Sequence, residues 1–95
     1  MAGESPPAES ALALLEYPNR YPLKVFGKPS NDFEATVLSL VKGRCPQAEH
    51  IEVRKRSSRG GKYLALTLTF TVHTQQQLED IYRDLHECDQ VVMSL

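Results

Sequence analysis

The sequence has few cysteines and no long apolar segment. Its two cysteines, Cys45 and Cys88, stand far apart in no recognisable spacing, so nothing in them indicates an oxidising compartment. The N-terminal segment has no basic region and only a short apolar run, residues 11–15, which is typical neither of a signal peptide nor of a membrane span. We therefore expect a cytoplasmic protein that contacts no membrane.

Catalytic and metal-binding motifs are also lacking. The chain contains no Cys-x-x-Cys or His-Glu-x-x-His pair. Cys45, with His50 five residues later, is accompanied by no glycine elbow and no oxyanion donor. The run 86–89 combines His, Cys and Asp, but it lies at a predicted helix end where side chains diverge. These absences predict no catalytic residues, no metal site and no cofactor, and therefore a protein that is not an enzyme.

No strong excess of one charge is present, since the net charge is −1 over 95 residues. That length predicts one small domain. The charges are nevertheless uneven: five of the eleven Lys and Arg residues fall within nine positions, while segment 79–89 carries five acidic residues against one arginine. The clustered basic residues are Arg54, Lys55, Arg56, Arg59 and Lys62. We expect a dipolar domain, and this matters more for partner choice than for fold.

The hydrophobic pattern predicts the order β-α-β-β-α-β. Strands are predicted at residues 21–26, 48–55, 63–72 and 89–94, with helices beginning at Ser30 or Asn31 and at Thr74. Residues 1–13 are predicted to be a disordered acidic and Pro-rich leader, with 14–95 as the single domain. Right-handed crossovers place both helices on one face of a four-stranded antiparallel sheet. The expected fold is the ferredoxin-like plait of the α+β class, with the third strand in the middle beside the first.

Side-chain alternation and capping patterns add detail to this fold. The predicted core side consists of Leu64, Leu66, Leu68, Phe70 and Val72 in the third strand, and of Val91 and Met93 in the last. The predicted helix caps pair Asn31 with Glu34 and Thr74 with Gln77. A helical turn over residues 11–16 is expected to dock Leu12 and Leu15 on the domain.

Four short motifs give the chain a family resemblance. They are Leu15-Glu-Tyr-Pro18, Lys24-Val-Phe-Gly27, Ser57-Ser-Arg-Gly-Gly-Lys-Tyr63 and Asp89-Gln-Val-Val-Met-Ser-Leu95. Their order and spacing over residues 14–95 resemble the YbeD-like family of small bacterial proteins. The resemblance implies a ferredoxin-like plait similar to ACT-type regulatory domains. It implies no activity, since that family has no established biochemical function and supplies no catalytic or binding residues to carry over.

The first candidate site is the basic, glycine-rich turn between the second and third strands. Its cations are Arg54, Lys55, Arg56, Arg59 and Lys62. Backbone N–H groups and guanidinium forks in such a turn are suited to an anion or an acidic partner. The alternative is a solvated hairpin tip, in which Gly60 and Gly61 supply positive φ and the charges maintain solubility.

The second candidate site is the turn after the first strand, formed by Gly27, Ser30 and Asn31. Gly27 allows a tight turn, and the N–H groups at the start of the first helix are able to hold a carboxylate or a phosphate. This arrangement would suit ACT-like binding of a small anionic metabolite. The alternative is that these residues only form a loop and a helix cap.

The third candidate is the sheet face that the helices leave uncovered. It is predicted to carry Lys24, Phe26, His50, Glu52, Arg54, Ala65, Thr67, Thr69, Gln90 and Val92. Such a face suits self-association or an unknown protein partner, and the alternative is a polar, solvated surface. Nucleic-acid binding is disfavoured, because the outer face of the third strand lacks the stacking rings of an RNA-recognition sheet. The predicted function is a non-catalytic regulatory or protein-interaction module, with ACT-like metabolite binding and RNA binding as alternatives.

Overall fold

The computed structural model describes residues 12–30, 32–48 and 50–95. The elements of the domain follow in the order β1 (Asn19–Gly27), α1 (Phe33–Arg44), β2 (Glu52–Ser57), β3 (Leu64–Val72), α2 (Gln75–His86) and β4 (Val91–Ser94). A short 3₁₀ turn, Arg59–Gly61, connects β2 to β3. The predicted β-α-β-β-α-β order is confirmed.

The four strands form one antiparallel sheet in the order β2-β3-β1-β4. β3 lies in the middle and pairs with β1 over nine residue pairs, from Asn19 opposite Val72 to Gly27 opposite Leu64. The buried residues of α1 and α2 belong to one core together with alternate residues of β1 and β3. Both helices therefore cover the same face of the sheet, and the ferredoxin-like fold is confirmed.

The core consists of side chains at the spacings that the sequence predicts. Every second residue of β3 from Leu66 to Val72 is buried, while the residues between them are partly exposed. The other buried members are Leu12, Leu23, Val25, Phe33, Val37, Val41, Cys45, Leu78, Ile81 and Leu85. Since burial of one large apolar side chain stabilises a fold by about 1.5–3 kcal/mol, this single cluster is the main source of stability.

The segment before β1 docks on this core. Leu12 is only 3% exposed, and its carbonyl accepts hydrogen bonds from the Tyr17 hydroxyl at 3.0 Å and from the Leu15 N–H at 3.2 Å. The expected docking of Leu12 is therefore observed. The predicted leader, apart from residues 12 and 13, lies outside the described residues, and the boundary between residues 13 and 14 stays a prediction.

The two helices begin in different ways. At the start of α2, Thr74 Oγ1 accepts a hydrogen bond from the Gln77 N–H at 3.2 Å, and Gln77 Oε1 accepts one from the His73 N–H at 2.9 Å. The predicted cap on α2 is confirmed, because the Thr74 side chain satisfies an N–H group that the helix leaves unpaired. The Gln77 side chain binds the backbone of His73, which precedes the cap. α1 begins at Phe33 after Asp32, whose side chain makes no capping hydrogen bond. The predicted partner of Glu34 at that end, Asn31, lies outside the described residues.

The ends of β2 differ from the prediction. The strand runs from Glu52 to Ser57 rather than over residues 48–55. Its start is delayed because His50 has a φ of 56°, which is incompatible with an extended strand. Its end is later because Arg56 and Ser57 continue the pairing with Ala65 and Leu64. Part of the predicted basic turn is therefore strand.

The predicted inward orientation of Met93 was wrong. A register shift between Phe26 and Gly27 places Met93 opposite Phe26 and Ser94 opposite buried Val25. The side chains of two residues directly opposite each other in antiparallel strands lie on the same face of the sheet. Met93 therefore lies with Phe26 on the face away from the helices, where Met93 is 50% exposed. Gln90, which we expected on that face, instead lines a groove with residues of α1.

A tyrosine pair joins the sheet to α2. The hydroxyls of Tyr21 and Tyr82 are hydrogen-bonded at 2.7 Å, and the rings meet edge to face with centroids 6.5 Å apart. Burial, together with this hydrogen bond, raises the pKa of Tyr82.

In the described ranges, no helix is long and apolar enough to cross a lipid bilayer.

Candidate functional site

The sheet face without helices carries two rows of side chains, one that crosses all four strands and one that crosses β2, β3 and β1. In the first row Arg56, Ala65, Phe26 and Met93 are consecutive neighbours, and in the second row Arg54, Thr67 and Lys24 follow in the same order. Leu95 extends the second row, because it exchanges two backbone hydrogen bonds with Lys24, at 2.8 and 3.1 Å. We call these eight residues the open face. Its β2 side is cationic and its β4 side is apolar.

The apolar part of the open face is unusually accessible. Met93 and Leu95 are 50% and 59% exposed, and Tyr63 beside the first row is 45% exposed. Tyr63 and Phe26 line a recess of about 250 Å³ together with Arg56 and Ala65. Tyr63 is fixed there by its backbone, whose N–H donates to Ser58 Oγ at 2.9 Å and whose carbonyl accepts from the Ser58 N–H at 2.9 Å.

The cationic part borders a larger groove of about 420 Å³. Its lining includes Lys24, Arg54 and Arg56, with Phe26 and Ala65 among its apolar members. Two guanidinium groups and an ammonium group therefore lie beside an apolar surface. This combination suits a ligand that brings both carboxylates and apolar side chains.

Four cations of the described domain are paired with carboxylates, and none of these four belongs to the open face. Arg44 binds both carboxylate oxygens of Asp84, at 2.7 and 3.0 Å. The other paired cations are Arg20 with Glu52 at 3.7 Å, Lys55 with Glu34 at 3.1 Å and Arg83 with Asp80 at 2.8 Å. Within the described ranges, no carboxylate lies within 4.0 Å of Lys24, Arg54 or Arg56. The positive charge of the open face is thus available to a partner.

The five cations of the predicted basic turn are divided among three places. Arg54 and Arg56 lie in β2 on the open face, whereas Lys55 between them lies opposite core residue Leu66 and pairs with Glu34 of α1. Arg59 and Lys62 remain at the turn, where both are exposed. The division follows from the period of two in a strand, which sends alternate side chains to opposite faces. The predicted positive φ of the two turn glycines is confirmed, with 80° at Gly60 and 70° at Gly61.

The turn after β1 is occupied by the protein itself. Gly27 is buried, and a Cβ at this position would overlap the ring of Phe33 and the backbone oxygen of Gln90. Gly27 is therefore required for close packing, a role that the sequence did not indicate. Ser30 is exposed, and its carbonyl accepts the Phe33 N–H at 3.3 Å. Asn31, the third predicted residue, lies outside the described residues.

The acidic residues of α2 are largely engaged within the domain. The Arg44 guanidinium lowers the pKa of Asp84 through its hydrogen bonds. Hydrogen bonds from Gln76 and Arg83 lower the pKa of Asp80. These carboxylates are held in their charged form by neighbours on the helix side, on the opposite side of the sheet from the open face.

The cysteines and histidines do not converge on one centre. Cys45 is buried, and burial raises the pKa of its thiol. Cys88 is partly buried, while His50, His73 and His86 are exposed. Over the described parts of the chain, no three His, Cys, Asp or Glu side chains are grouped to hold a metal ion.

Comparisons with known proteins place the chain in a family. It is 40% identical over 83 residues to a UPF0250 protein of Nitrosomonas europaea, which covers 87% of this chain and 95% of the relative. It is 41% identical over 81 residues to a UPF0250 protein of Bordetella pertussis, covering 85% and 86%. The solution structure of protein HP0495 from H. pylori shares the fold, with a TM-score of 0.69, 18% identity and 98% coverage of both chains. Residues 13–95 match DUF493, described as a protein of unknown function. These findings confirm the family resemblance of the motifs, and the chain belongs to the DUF493 family.

Proposed function

We propose that the protein is a non-catalytic interaction module whose open face binds an acidic segment of a partner protein. The observation that carries the proposal is the grouping of three cations, unpaired within the described domain, around one groove that also has apolar lining residues. Among the described residues, no carboxylate lies within 4.0 Å of Lys24, Arg54 or Arg56. The same holds for Lys28, Lys42, Arg59 and Lys62, but none of these four lines the groove that the three open-face cations share with Phe26 and Ala65. Opposite charge across an interface steers association and fixes its register.

The apolar half of the open face supports a protein partner rather than a simple anion. Phe26, Met93 and Leu95 continue the two rows that begin with the arginines. Interfaces between proteins combine an apolar centre with charged surroundings, and arginines and aromatic residues are enriched in them. Arg54 and Arg56 are two residues apart on one strand, so their Cα atoms are separated by about 7 Å. Carboxylates at alternate positions of an extended segment match this separation.

A second copy of the chain fits the open face less well. Face-to-face packing would bring the same unpaired cations of two protomers together, and like charges in an interface are costly. The acidic residues of α2 offer a poor alternative, because Asp80 and Asp84 are already bound by Arg83 and Arg44. An acidic segment of another protein is therefore the preferred occupant.

Two other functions have weaker support. A metabolite in the turn after β1 would compete with the ring of Phe33, which fills the space beside Gly27. RNA would need rings along the centre of the sheet, where the outer residues of β3 are alanine and threonine. A catalytic thiol is disfavoured by the burial of Cys45, since thiolate is the nucleophilic form. The proposal retains the sequence-based expectation of a cytoplasmic location.

The test uses variants with the same change in charge at two places. Arg54→Ser with Arg56→Ser removes two cations from the open face, and Arg59→Ser with Lys62→Ser removes two from the turn. The probe is a labelled peptide with glutamate at two alternate positions and leucine at the next two alternate positions, so that all four side chains lie on one face of an extended chain. Binding is measured by fluorescence anisotropy. Because a hydrogen bond to a charged group contributes about 1.5–3 kcal/mol, the open-face variant should bind at least about tenfold more weakly. The turn variant should bind like the wild type.

Four results would contradict the proposal. Equal losses in both double variants would show that only total charge matters. Unchanged binding in the open-face variant would exclude the arginines. A dimer in sedimentation experiments that the open-face variant abolishes would assign the face to a second copy. Salt-sensitive binding of single-stranded RNA that displaces the peptide would favour the nucleic-acid alternative instead.

A further inference from the structure

A second groove lies at the other end of the uncovered sheet face. Its volume is about 410 Å³, and it is lined by Arg20, Gln47, His50, Thr71 and His73. Arg20 of β1 and Thr71 of β3 are direct neighbours in the sheet, and His73 follows two residues after Thr71. We call these five residues the histidine groove. It shares no residue with the open face.

The described lining residues have one kind of chemistry, since all of them are hydrogen-bond donors. All five side chains carry an N–H or O–H group that is able to donate a hydrogen bond, and none of the five is a carboxylate. Three of them are arginine or histidine. A ligand that only accepts hydrogen bonds and carries negative charge therefore suits the groove better than a cation or an apolar molecule.

The backbone around the groove is held in an uncommon conformation. His50 has a φ of 56°, in the left-handed region that non-glycine residues seldom adopt. The Arg20 guanidinium stabilises it by donating to the His50 carbonyl at 3.0 Å. Such conformations persist only where neighbouring contacts enforce them, and they are concentrated at binding sites. Here the contact keeps His50 beside Arg20 at the edge of the groove.

Among the described residues, one carboxylate lies near the groove without lining it. Glu52 is 3.7 Å from Arg20 and is exposed to solvent. An exposed ion pair at this distance is weak. A ligand with several charged oxygens can therefore compete with Glu52 for the guanidinium. Glu52 also separates the histidine groove from the cations of the open face, since it precedes Arg54 on β2.

We propose that the histidine groove binds the phosphate group of a small phosphorylated metabolite. A phosphomonoester presents three terminal oxygens, which match several donors better than the two oxygens of a carboxylate. The groove volume is within the range of small-molecule sites, so it accommodates the phosphate with a short organic group. The proposal is independent of partner binding on the open face.

The test is an NMR titration of the full chain with glycerol 3-phosphate, with glycerol and sulfate as comparison ligands. We expect saturable shifts of the Arg20, His50, Thr71 and His73 amides at concentrations of about 10 mM or lower, and no such shifts with glycerol. His73→Gln and Thr71→Val should each weaken binding severalfold, since both leave the Arg20–His50 hydrogen bond in place. His86→Gln removes an exposed histidine elsewhere and should have no effect.

Other outcomes would overturn the proposal. Sulfate that binds as tightly as glycerol 3-phosphate would show a general anion site. Shifts that do not saturate, or that appear only near Arg54 and Arg56, would show that the histidine groove is not the site. Wild-type affinity for glycerol 3-phosphate in both His73→Gln and Thr71→Val would also show that the histidine groove is not the binding site. Because the variants differ from those of the open face, this proposal and the proposed function fail separately.

Discussion

Replacing Gly27 with alanine tests whether this residue serves packing or ligand binding. Gly27 ends β1, and a Cβ there would overlap the Phe33 ring and the Gln90 carbonyl oxygen. Neither neighbour moves easily, because Phe33 is fully buried and the Gln90 oxygen accepts the Lys28 N–H at 3.3 Å. The φ of Gly27 is not positive, so backbone strain does not contribute. Any loss of stability should come from overpacking alone.

The expected cost is about 1–3 kcal/mol, as for an extra methyl group in a packed core. For a domain of this size, each kcal/mol lowers the Tm by roughly 4–8 °C. Gly43→Ala is the matched control, because it adds the same methyl group within α1, where no described atom lies within 4 Å of the new Cβ apart from its chain neighbours and the adjacent helix backbone. Alanine is the better helix former, and the control should gain about 0.5 kcal/mol.

The two variants therefore have effects of opposite sign. Thermal and urea unfolding followed by circular dichroism measure both effects, provided that each variant unfolds in a single transition. A Gly27→Ala protein that unfolds at the wild-type midpoint would refute the packing argument. It would also restore the turn after β1 as a candidate ligand site, since the space beside Gly27 would then be adaptable.

Two further predictions concern the ends of the domain and its ion pairs. Leu12→Ala should lower the free energy of unfolding in urea by about 2–5 kcal/mol, because Leu12 is buried. Leu14 is 85% exposed, so Leu14→Ala should change that free energy by less than about 0.5 kcal/mol. Equal effects of the two variants would contradict docking of this segment. The pKa of Asp84 is lower in the folded protein than in the unfolded chain, where it is about 3.9. The pairing with Arg44 therefore stabilises the protein at pH values above about 3.9, and this stabilisation is lost as the pH falls through the folded pKa. Arg44→Gln should therefore make the Tm less sensitive to pH between about 5 and 2 than in the wild type, and an unchanged dependence would exclude this pair as a contributor.

Much of the fold was predictable because its signals are local and agree with one another. The alternation from Leu64 to Val72 identifies a strand with one buried face, and Thr74 with Gln77 identifies the start of a helix. Once six elements are ordered along the chain, right-handed crossovers leave few topologies. The position of β3 beside β1 followed from that topology.

The candidate site was less predictable, since it depends on strand ends and register. The shift between Phe26 and Gly27 breaks the alternation in β4, so Met93 joins the open face instead of the core. Counting residues in β4 alone gives no sign of that shift. Residues 56–62 were assigned to a turn because of the glycines, but the pairing of β2 with β3 extends to Ser57. This pairing places Arg56 on the open face with Arg54 and divides both from Lys55. A period of two applied through Arg56 would have indicated this division.

The charges of β2 have a second explanation, which is that they prevent this edge strand from pairing with other chains. The position of Lys24 distinguishes this explanation from partner binding. β2 is an edge strand, and charged side chains on edge strands prevent pairing with other chains. Protection accounts for Arg54, Lys55 and Arg56 on whichever face they lie. It does not account for Lys24, because at this residue β1 is paired on both sides, with Thr67 of β3 and with Leu95 after β4. A cation at this interior position, in the same row as Arg54 and next to apolar side chains, is expected where the face itself attracts an acidic partner.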